Sequence, residues 1–434
     1  MAKFNREKVL RQLEFKRKWR SYSRYVYIAV PCVLCCLLCL YFAYSKFFVS
    51  EEQAVIRTTV GDFIYGDVVI GAYIDGQYSN TIPGKNDGYA VEKVVCDNGA
   101  VGEWNNDDWG LLTTNISKRS KCNVYFKKYL IADKIIELAQ SDTVNFANDD
   151  PDGNIRYIGA NPNNYVYFNC SDYANQSDNT CEKWRIIGLF NNITKSDGTK
   201  ENLVKIVKSD SIGTIAWDEN KSAGSSSAWA NATLQQNLNS GTYYTTTLKN
   251  DVTRSKIENV MWNLGTSPTI VDVTAKMFYE REKGVNANND EISAWTGKVG
   301  LIYASDYGYA TSGGTIANRA TCLQTALNNW ENSDVSDCKD NNYLYKSSHV
   351  QWLLSFLDRF GVLNIDIRGK VGHTATFTST STNNKLKLDF EPMEPYVYSN
   401  NQNVNVYPSL YLKSNISISG GTGLSSDPYQ LSIK

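Results

Sequence analysis

The longest apolar stretch of the chain runs from Tyr25 to Val49 and carries no charge until Lys46. About 20 consecutive apolar or small residues is the length that a helix needs to cross the hydrocarbon of a bilayer. The pattern therefore predicts a transmembrane helix over residues 25–49. A cleaved signal peptide is the alternative, because residues 43–45 (Ala-Tyr-Ser) resemble a cleavage site. The apolar core, however, exceeds the usual length of a signal.

Residues 1–24 form a short tail that contains nine Lys or Arg residues and two Glu residues. Because basic flanks stay on the cytoplasmic side, the amino terminus is expected inside and the long polar body outside. We expect a single-pass protein of the cell membrane, held in the lipid bilayer by residues 25–49.

Beyond the anchor, short runs of alternating apolar and polar residues separated by turn signals predict a small β-rich module over residues 60–128. Its predicted strands are 63–65, 68–74, 89–96 and 121–126, and Asp75-Gly76 marks a hairpin turn. Residues 127–140 have helical periodicity, so residues 129–153 are interpreted as a helical linker that ends in a turn.

Residues 154–434 are predicted to form one larger domain. Strands are expected at 184–190, 203–207, 299–303, 347–356, 362–367 and 404–419, and helices at 227–239, 248–264 and 275–283. With helices early, strands late and long Gly/Asn/Ser loops between them, the pattern predicts an α+β fold.

Composition limits the function classes. The formal net charge of -1 gives no electrostatic case for nucleic acid as a partner. The body is rich in Asn, Ser, Thr, Tyr and Gly, which is typical of exposed binding surfaces. The same composition is typical of AT-rich bacterial coding, so both interpretations stay open.

Six of the ten cysteines lie outside the apolar span: Cys96, Cys122, Cys170, Cys181, Cys322 and Cys338. An even number in an exposed body indicates disulfide bonds. Six cysteines allow fifteen connectivities, of which pairing between sequence neighbours is the simplest. Zinc is the alternative, but the body has no CxxC and the chain has two histidines.

The order of several motifs in the larger domain carries a resemblance. They are Trp184-Arg-Ile-Ile-Gly, Trp229 with Leu234 and Leu238, Gly300-Leu-Ile-Tyr-Ala-Ser-Asp-Tyr-Gly-Tyr-Ala, Cys322 with Cys338, Tyr407-Pro-Ser-Leu-Tyr-Leu and Gly420-Gly-Thr-Gly-Leu-Ser-Ser-Asp-Pro-Tyr. This order resembles membrane-anchored surface proteins of gut Firmicutes and their wall-less relatives. The resemblance extends over residues 60–434, because the small module resembles one found in the same proteins.

The resemblance implies a C-type-lectin-like carboxy-terminal domain, similar to the formylglycine-generating-enzyme branch of that fold. Two departures stand out. Tyr407 lies where the family has Arg in Val-Arg-Pro, so the pairing role expected of that Arg is lost or replaced. The residues after Trp352, Leu-Leu-Ser-Phe-Leu-Asp-Arg, also differ from the family, which often has Trp-x-Leu-Ser followed by a small residue or Pro. The reactive cysteines of the formylglycine-generating branch are not carried over, because Cys322 and Cys338 are interpreted as structural.

Such folds present ligands on loops, and the loops around 306–309, 349–352, 366–373 and 400–407 concentrate Tyr, Asn, Trp and Asp. The predicted ligand-binding residues are Asp306, Tyr307, Tyr309, His349, Trp352 and Tyr407. The sequence has no G-x-S-x-G motif of the kind that presents a catalytic serine in hydrolases, and neither histidine has a recognisable catalytic partner. No catalytic residue and no enzymatic activity are therefore predicted.

A metal site is weighed at one place. Asp150, Asp152 and Asn154 have the spacing that begins a calcium loop, but Asn161 stands where an EF-hand needs Glu. A simple turn is the main interpretation, no cofactor is predicted, and calcium is the alternative.

The sequence therefore predicts an adhesin-like surface protein that binds a glycan or protein ligand outside the cell. An envelope or pilus-like scaffold is the first alternative. A glycan-active cell-wall enzyme, which needs two convergent carboxylates, is the second.

Overall fold

A computed structural model describes residues 10–20, 64–65, 68–116, 119–219, 229–284, 294–357, 361–375 and 404–432. The predicted transmembrane helix, residues 25–49, lies outside these ranges. Within them, no helix combines the length and apolar character needed to cross a membrane. Part of the basic tail, residues 10–20, forms helix α1.

The chain divides into two units, residues 1–82 with 93–125 and residues 83–92 with 126–434. Both are described separately below. Taken together, their elements make a mixed α+β protein that is mostly strand with few helices, which confirms the predicted class.

Seven strands follow one another from residue 64 to residue 128: β1 (Ile64–Tyr65), β2 (Val68–Ile74), β3 (Gln77–Ser79), β4 (Tyr89–Cys96), β5 (Val101–Asn105), β6 (Gly110–Thr114) and β7 (Ser120–Lys128). The sheet order is β1-β2-β7-β4 with β3 paired to β2, and β5 pairs with β6. Asp75 and Gly76 both have positive φ, as a two-residue hairpin turn requires. Cys122 and Val124 alternate inward along β7 because successive side chains of a strand point to opposite faces.

The helices of the second unit are short. They are α2 (Ile131–Ser141), α3 (Thr233–Asn239), α4 (Asp251–Ser255), α5 (Ala275–Lys283), α6 (Ala304–Tyr309), α7 (Arg319–Gln324) and α8 (Asp337–Asp340), with 3-10 turns at Trp229–Asn231, Leu327–Asn329 and Ser333–Val335 and a π-helical turn at Tyr243–Thr247. Its strands are β8 (Phe146–Ala147), β9 (Ile155–Tyr157), β10 (Tyr165–Phe168), β11 (Glu182–Thr194), β12 (Lys200–Lys208), β13 (Thr214–Ile215), β14 (Val260–Asn263), β15 (Thr266–Ser267), β16 (Ala294–Gly297), β17 (Val299–Gly300), β18 (Gln351–Leu357), β19 (Gly361–Ile365), β20 (Val371–Ala375), β21 (Val404–Asn405), β22 (Ser409–Tyr411), β23 (Ser417–Gly420) and β24 (Gln430–Ser432).

The larger sheet of the second unit has the order β17-β22-β12-β11-β9-β8, with β10 also paired to β11. Its longest strand is β11, which pairs antiparallel with β12, and the sequence predicted a strand at each of these positions. Residues 184–190 of β11 are buried without interruption. A continuous buried run means that both faces of the strand are covered, so β11 lies inside the unit.

A second sheet has the order β13-β21-β18-β19-β20, with β15 joined to β18 in parallel. The two sheets share one hydrophobic core with helices α2, α3, α5 and α6. Six tryptophans are fully buried in it: Trp184, Trp217, Trp229, Trp262, Trp330 and Trp352. Each buried aromatic ring removes a large apolar area from water, so these residues dominate the energetics of the core.

Three disulfides join sequence neighbours: Cys96–Cys122, Cys170–Cys181 and Cys322–Cys338. The prediction of disulfides, with the simplest of the fifteen connectivities, is confirmed.

The predicted cluster of late strands is confirmed, because the described residues after α8 form β18 to β24 and no helix. The predicted early helices are interspersed with strands, since β8 to β13 precede α3. Residues 248–264 were predicted as one helix, but α4 ends at Ser255 and β14 follows. In β14, Val260 and Trp262 are buried while Met261 between them is exposed. This alternation has the period of a strand rather than of a helix.

The predicted strand over residues 299–303 is also shorter, since β17 ends at Gly300 and α6 begins at Ala304. Asp306 is the third residue of α6, and its carboxylate accepts a hydrogen bond from the backbone N–H of Tyr303 at 3.0 Å. A carboxylate at this position satisfies a free donor at the helix start and favours helix over strand. The expected exposed loop at 306–309 is therefore a buried helix.

One glycine controls the approach of β9 to β11. Gly188 pairs with Arg156, and a Cβ at Gly188 would lie 2.2 Å from the backbone oxygen of Ile155. Only a residue without a side chain permits this spacing.

We expect Gly188→Ala to destabilise the protein by about 2 kcal/mol or more, because β9 must shift to relieve the overlap. Urea unfolding, monitored by tryptophan fluorescence, measures this loss of stability. Gly420→Ala is the matched control, since a Cβ there meets only the Gln430 side chain at 3.4 Å. Equal stability of the two variants would contradict the close approach.

Candidate functional site

The centre of the second unit contains a buried cluster of ion pairs. Arg156 on β9 donates from Nη1 to Asp306 at 2.8 Å and from Nε to Asp150 at 2.6 Å. The same Asp306 carboxylate accepts from Lys205 Nζ of β12 at 2.5 Å. Burial alone would raise the pKa of Asp306, but Lys205 and Arg156 lower it below its ordinary value. Asp306 therefore stays ionised.

Aromatic rings surround the ammonium group of Lys205, which has no exposed surface. Its Nζ lies 4.3 Å from the ring centroid of Tyr303, 5.2 Å from that of Trp262 and 5.4 Å from that of Tyr411. Burial lowers the pKa of Lys205, and Asp306 offsets part of this effect. Because the rings present their negative faces, they help a desolvated cation to remain charged.

Glu282 on α5 lies beside this cluster and is also fully buried. Its carboxylate accepts hydrogen bonds from the Ser305 hydroxyl, from the Ser305 N–H at 3.1 Å and from the Ser355 hydroxyl at 2.6 Å. Burial raises the pKa of Glu282 to about 7, although these hydrogen bonds favour its ionised form. Glu282 therefore changes charge near neutral pH.

The charges of the other ionic groups in this region cancel, so the negative charge of Glu282 has no matching positive charge among them. The cations are Arg156, Lys205 and Lys283, and the anions that pair with them are Asp150, Asp152 and Asp306. Glu282 is the surplus acid of the set. It lines a cavity of about 40 Å³ together with Arg156, Trp262 and Lys283. A cavity of this size holds on the order of one to three water molecules and no sugar ring.

The segment considered for calcium forms a turn. The Gly153 N–H donates to the Asp150 backbone oxygen at 3.0 Å, and Gly153 has a φ of 64°. The carboxylate of Asp150 is bound to Arg156 and to Asn154, while that of Asp152 pairs with Lys283. Within the described ranges, no group of three or more His, Cys, Asp or Glu side chains is placed to hold a metal ion.

Five of the six predicted ligand-binding residues are buried, and four of these five are held by contacts inside the core. Asp306 belongs to the ion-pair cluster, and Tyr307 donates its hydroxyl to the Gly369 backbone oxygen at 2.7 Å. Tyr309 packs edge-on against Tyr279. The indole N–H of Trp352 donates to the Ile215 backbone oxygen at 3.0 Å. These contacts make them structural side chains, and none lies on an open loop.

The fifth buried residue, Tyr407, contacts the sixth predicted residue, His349, which lies at the surface. The Tyr407 hydroxyl lies 3.1 Å from Nδ1 of His349, and His349 is exposed. Tyr407 lies in the connection between β21 and β22, whereas His349 lies in the segment before β18. Of the predicted set, His349 alone is exposed, and the hydroxyl of the buried Tyr407 reaches it from inside.

Lys346 lies beside this pair and Arg185 lies in the same unit, and neither was predicted from the sequence as a site residue. Lys346 places its Nζ 5.6 Å from the ring centroid of Tyr407. Arg185 on β11 stacks its guanidinium 4.1 Å from the ring centroid of Tyr165 and 4.7 Å from that of Tyr343. The cationic cluster is defined as Arg185, Lys346, Tyr165, Tyr343, His349 and Tyr407.

The two cations of the cationic cluster influence each other. Burial first, and then the charge of Arg185, lowers the pKa of Lys346 to about 8, while Asp210 acts in the opposite direction. Neither Arg185 nor Lys346 has an ion-pair partner in the part of the chain that the structure describes. The cluster therefore differs from the Asp306 region, where each cation is paired with a carboxylate.

The one sequence signal for this cluster is Arg185 itself, a charged residue inside the apolar run 184–190. A charge in a strand buried on both faces needs compensation, so this position could have been singled out. Lys346 carries no such signal, because a lysine between turn residues is typical of any exposed loop.

Comparisons with protein-family models, with curated proteins and with solved structures found no match.

We expect Glu282→Gln to remove a pH dependence of stability. The folded pKa of about 7 lies above the ordinary value of 4.5, so the folded state favours protonated Glu282. Its contribution is fully present below pH 4.5 and is lost as the pH rises through 7. The variant should gain about 3 kcal/mol relative to the parent between these limits.

Urea unfolding at a series of pH values measures this difference. Glu280→Gln is the matched control, because Glu280 lies on the same helix with an exposed side chain. A pH profile of Glu282→Gln parallel to that of the parent would contradict the assignment of a buried surplus acid.

Proposed function

We propose that the protein is a single-pass cell-surface protein whose residues 154–434 form a lectin-like domain that binds a ligand outside the cell. Residues 25–49 hold it in the bilayer, and the basic tail stays in the cytoplasm. The function is adhesin-like and needs neither enzymatic turnover nor a cofactor.

The observation that carries this proposal is the contact between His349 and Tyr407 beside two unpaired cations. Charged and aromatic side chains held together near a surface without mutual neutralisation are typical of recognition sites. The cavity beside Glu282, at about 40 Å³, is too small for a sugar ring, so it is not part of the proposed binding site.

The three disulfides support an exterior location. Disulfides form and persist outside the cytoplasm, where thiols are not kept reduced. They also restrict the conformations of the unfolded chain, and each typically adds roughly 2–4 kcal/mol to the free energy of unfolding. A surface protein benefits from this because it works without intracellular chaperones.

The main experiment is binding of the full-length protein, held in lipid nanodiscs, to an array of glycans and mucins. The account predicts saturable binding that persists when calcium is chelated, because the cationic cluster contains no carboxylate ligands for a metal. Failure to bind any array component, with concentration-dependent self-association instead, would favour the envelope-scaffold alternative.

We expect Tyr407→Phe to weaken binding of the array ligand about three- to tenfold, because the variant loses the hydroxyl that meets His349. Surface plasmon resonance on the nanodisc-held protein measures the change. Tyr345→Phe is the matched control, since it removes a hydroxyl that donates to the Ile367 backbone oxygen at 2.6 Å. Equal loss in both variants would place the ligand elsewhere.

A further inference from the structure

Helix α1 is left uncovered by the rest of the described chain. All of its residues, 10–20, are exposed, and four of them are large apolar side chains: Leu10, Leu13, Phe15 and Trp19. The two aromatic side chains are the most exposed of the four, Phe15 at 67% and Trp19 at 64%. A helix of this length is marginal in water by itself. A partner surface that the described chain does not supply would therefore stabilise it.

One face of α1 carries no charge. Because residues spaced by three or four positions lie on the same side of a helix, Phe15 and Trp19 share this face with Gln12. Basic residues border it on both sides, Lys18 on one side and Lys16 on the other. An aromatic face between cations is typical of helices that lie in the interface of a bilayer, because the rings enter the headgroup region and the long basic side chains reach the charged groups around them.

The opposite face of α1 does not fit an apolar environment. Leu10 and Leu13 lie there, but Arg17 lies between them on the helical surface and Glu14 lies beside Leu10. An apolar contact through this face would bury two charges, which is costly. The aromatic face is therefore the one that a partner surface covers.

The charge of α1 identifies the partner. The helix has an excess of four positive charges, since one acidic residue, Glu14, stands against five basic ones: Arg11, Lys16, Arg17, Lys18 and Arg20. Each Lys or Arg close to an anionic leaflet strengthens membrane binding about fivefold. Residues 21–24 separate α1 from the predicted span and can bridge at most about 14 Å. A bilayer that holds the span is thus within reach of the helix.

Resting on the membrane anchor of the proposed function, we propose that α1 lies on the cytoplasmic surface of the bilayer and binds the headgroups of anionic lipids. Phe15 and Trp19 insert into the interface, while the basic residues on either side pair with lipid phosphates. The span then fixes the protein in the bilayer, and α1 makes its cytoplasmic end sensitive to the charge of the lipid.

The test compares full-length protein in nanodiscs of phosphatidylcholine alone with the same protein in an equal mixture of phosphatidylcholine and phosphatidylglycerol. Hydrogen–deuterium exchange, measured by mass spectrometry on peptides that cover residues 10–20, reports the protection of α1. We expect exchange to be about tenfold or more slower in the anionic discs. Most of this protection should be lost in molar salt, which shortens the range of charge interactions to about 3 Å. Equal exchange in the two lipids would overturn the inference.

A pair of serine variants tests the orientation of the helix. In anionic discs, Phe15→Ser should speed the exchange of α1 about three- to tenfold, because it removes a ring from the lipid-facing side. Leu13→Ser is the matched control, since it also replaces an exposed apolar residue of α1 and costs at least as much helix propensity, but on the opposite face. Equal loss of protection in the two variants would contradict a contact through the aromatic face.

The remaining outcomes separate this inference from the function on which it rests. If the purified protein does not insert into the discs, the anchor of the proposed function fails and the inference fails with it. If the protein inserts but lipid charge leaves the exchange unchanged, the anchor stands and only the surface contact fails. If protection appears only in discs that hold two copies of the protein, the partner of α1 is a second copy and the lipid assignment fails.

Discussion

The carboxylate of Asp306 is the group on which the second unit depends. It joins Arg156, which is 150 residues away in the chain, to Lys205, which is 101 residues away. A buried charge costs several kcal/mol unless it is paired and hydrogen-bonded. Strands β9 and β12 and helix α6 must therefore take positions that satisfy all three groups together. The aromatic shell around Lys205 adds to this requirement, because it excludes the water that would otherwise replace a missing partner.

The requirement that a buried charge be paired also applies to the cationic cluster. In the Asp306 region each cation has an anion, and only Glu282 is in surplus. No carboxylate in the described part of the chain forms an ion pair with Arg185 or with Lys346. Arg185 is 6% exposed, so it is a buried cation that, among the described residues, has hydrogen bonds but no carboxylate partner. That contrast with Arg156 and Lys205 supports the proposed binding function.

Much of the architecture could be predicted because it follows from local patterns. Alternation predicted β2 and β4 with their observed bounds, and spacing favoured the observed disulfides. The failures have a common cause. Helix α6 has no apolar stripe, since all six of its residues are buried, and Asp306 acts as both helix cap and ion-pair partner. A carboxylate among Tyr, Ser and Gly is typical of a loop, and only the distant positions of Arg156 and Lys205 explain its burial.

The candidate site was predictable in part for the same reason. His349 and Tyr407 were found from residue type, but nothing local distinguishes them from Tyr307 or Trp352, which pack inside. Tyr407 also packs inside, and its contact with the exposed His349 is decided by how the segment before β18 meets the connection between β21 and β22. That meeting is a tertiary contact, and so is the stacking of Arg185 on Tyr343, which lies more than 150 residues later in the chain.

The most direct test of the account is a double-mutant cycle on the central ion pair, measured by urea unfolding. Asp306→Asn should cost about 3–5 kcal/mol, because it leaves the Lys205 charge buried and unpaired. Adding Lys205→Met removes that charge, so the double variant should recover a large part of the loss. Additive effects of the two substitutions, or a loss below about 1 kcal/mol for Asp306→Asn, would contradict the claim that this pair organises the fold.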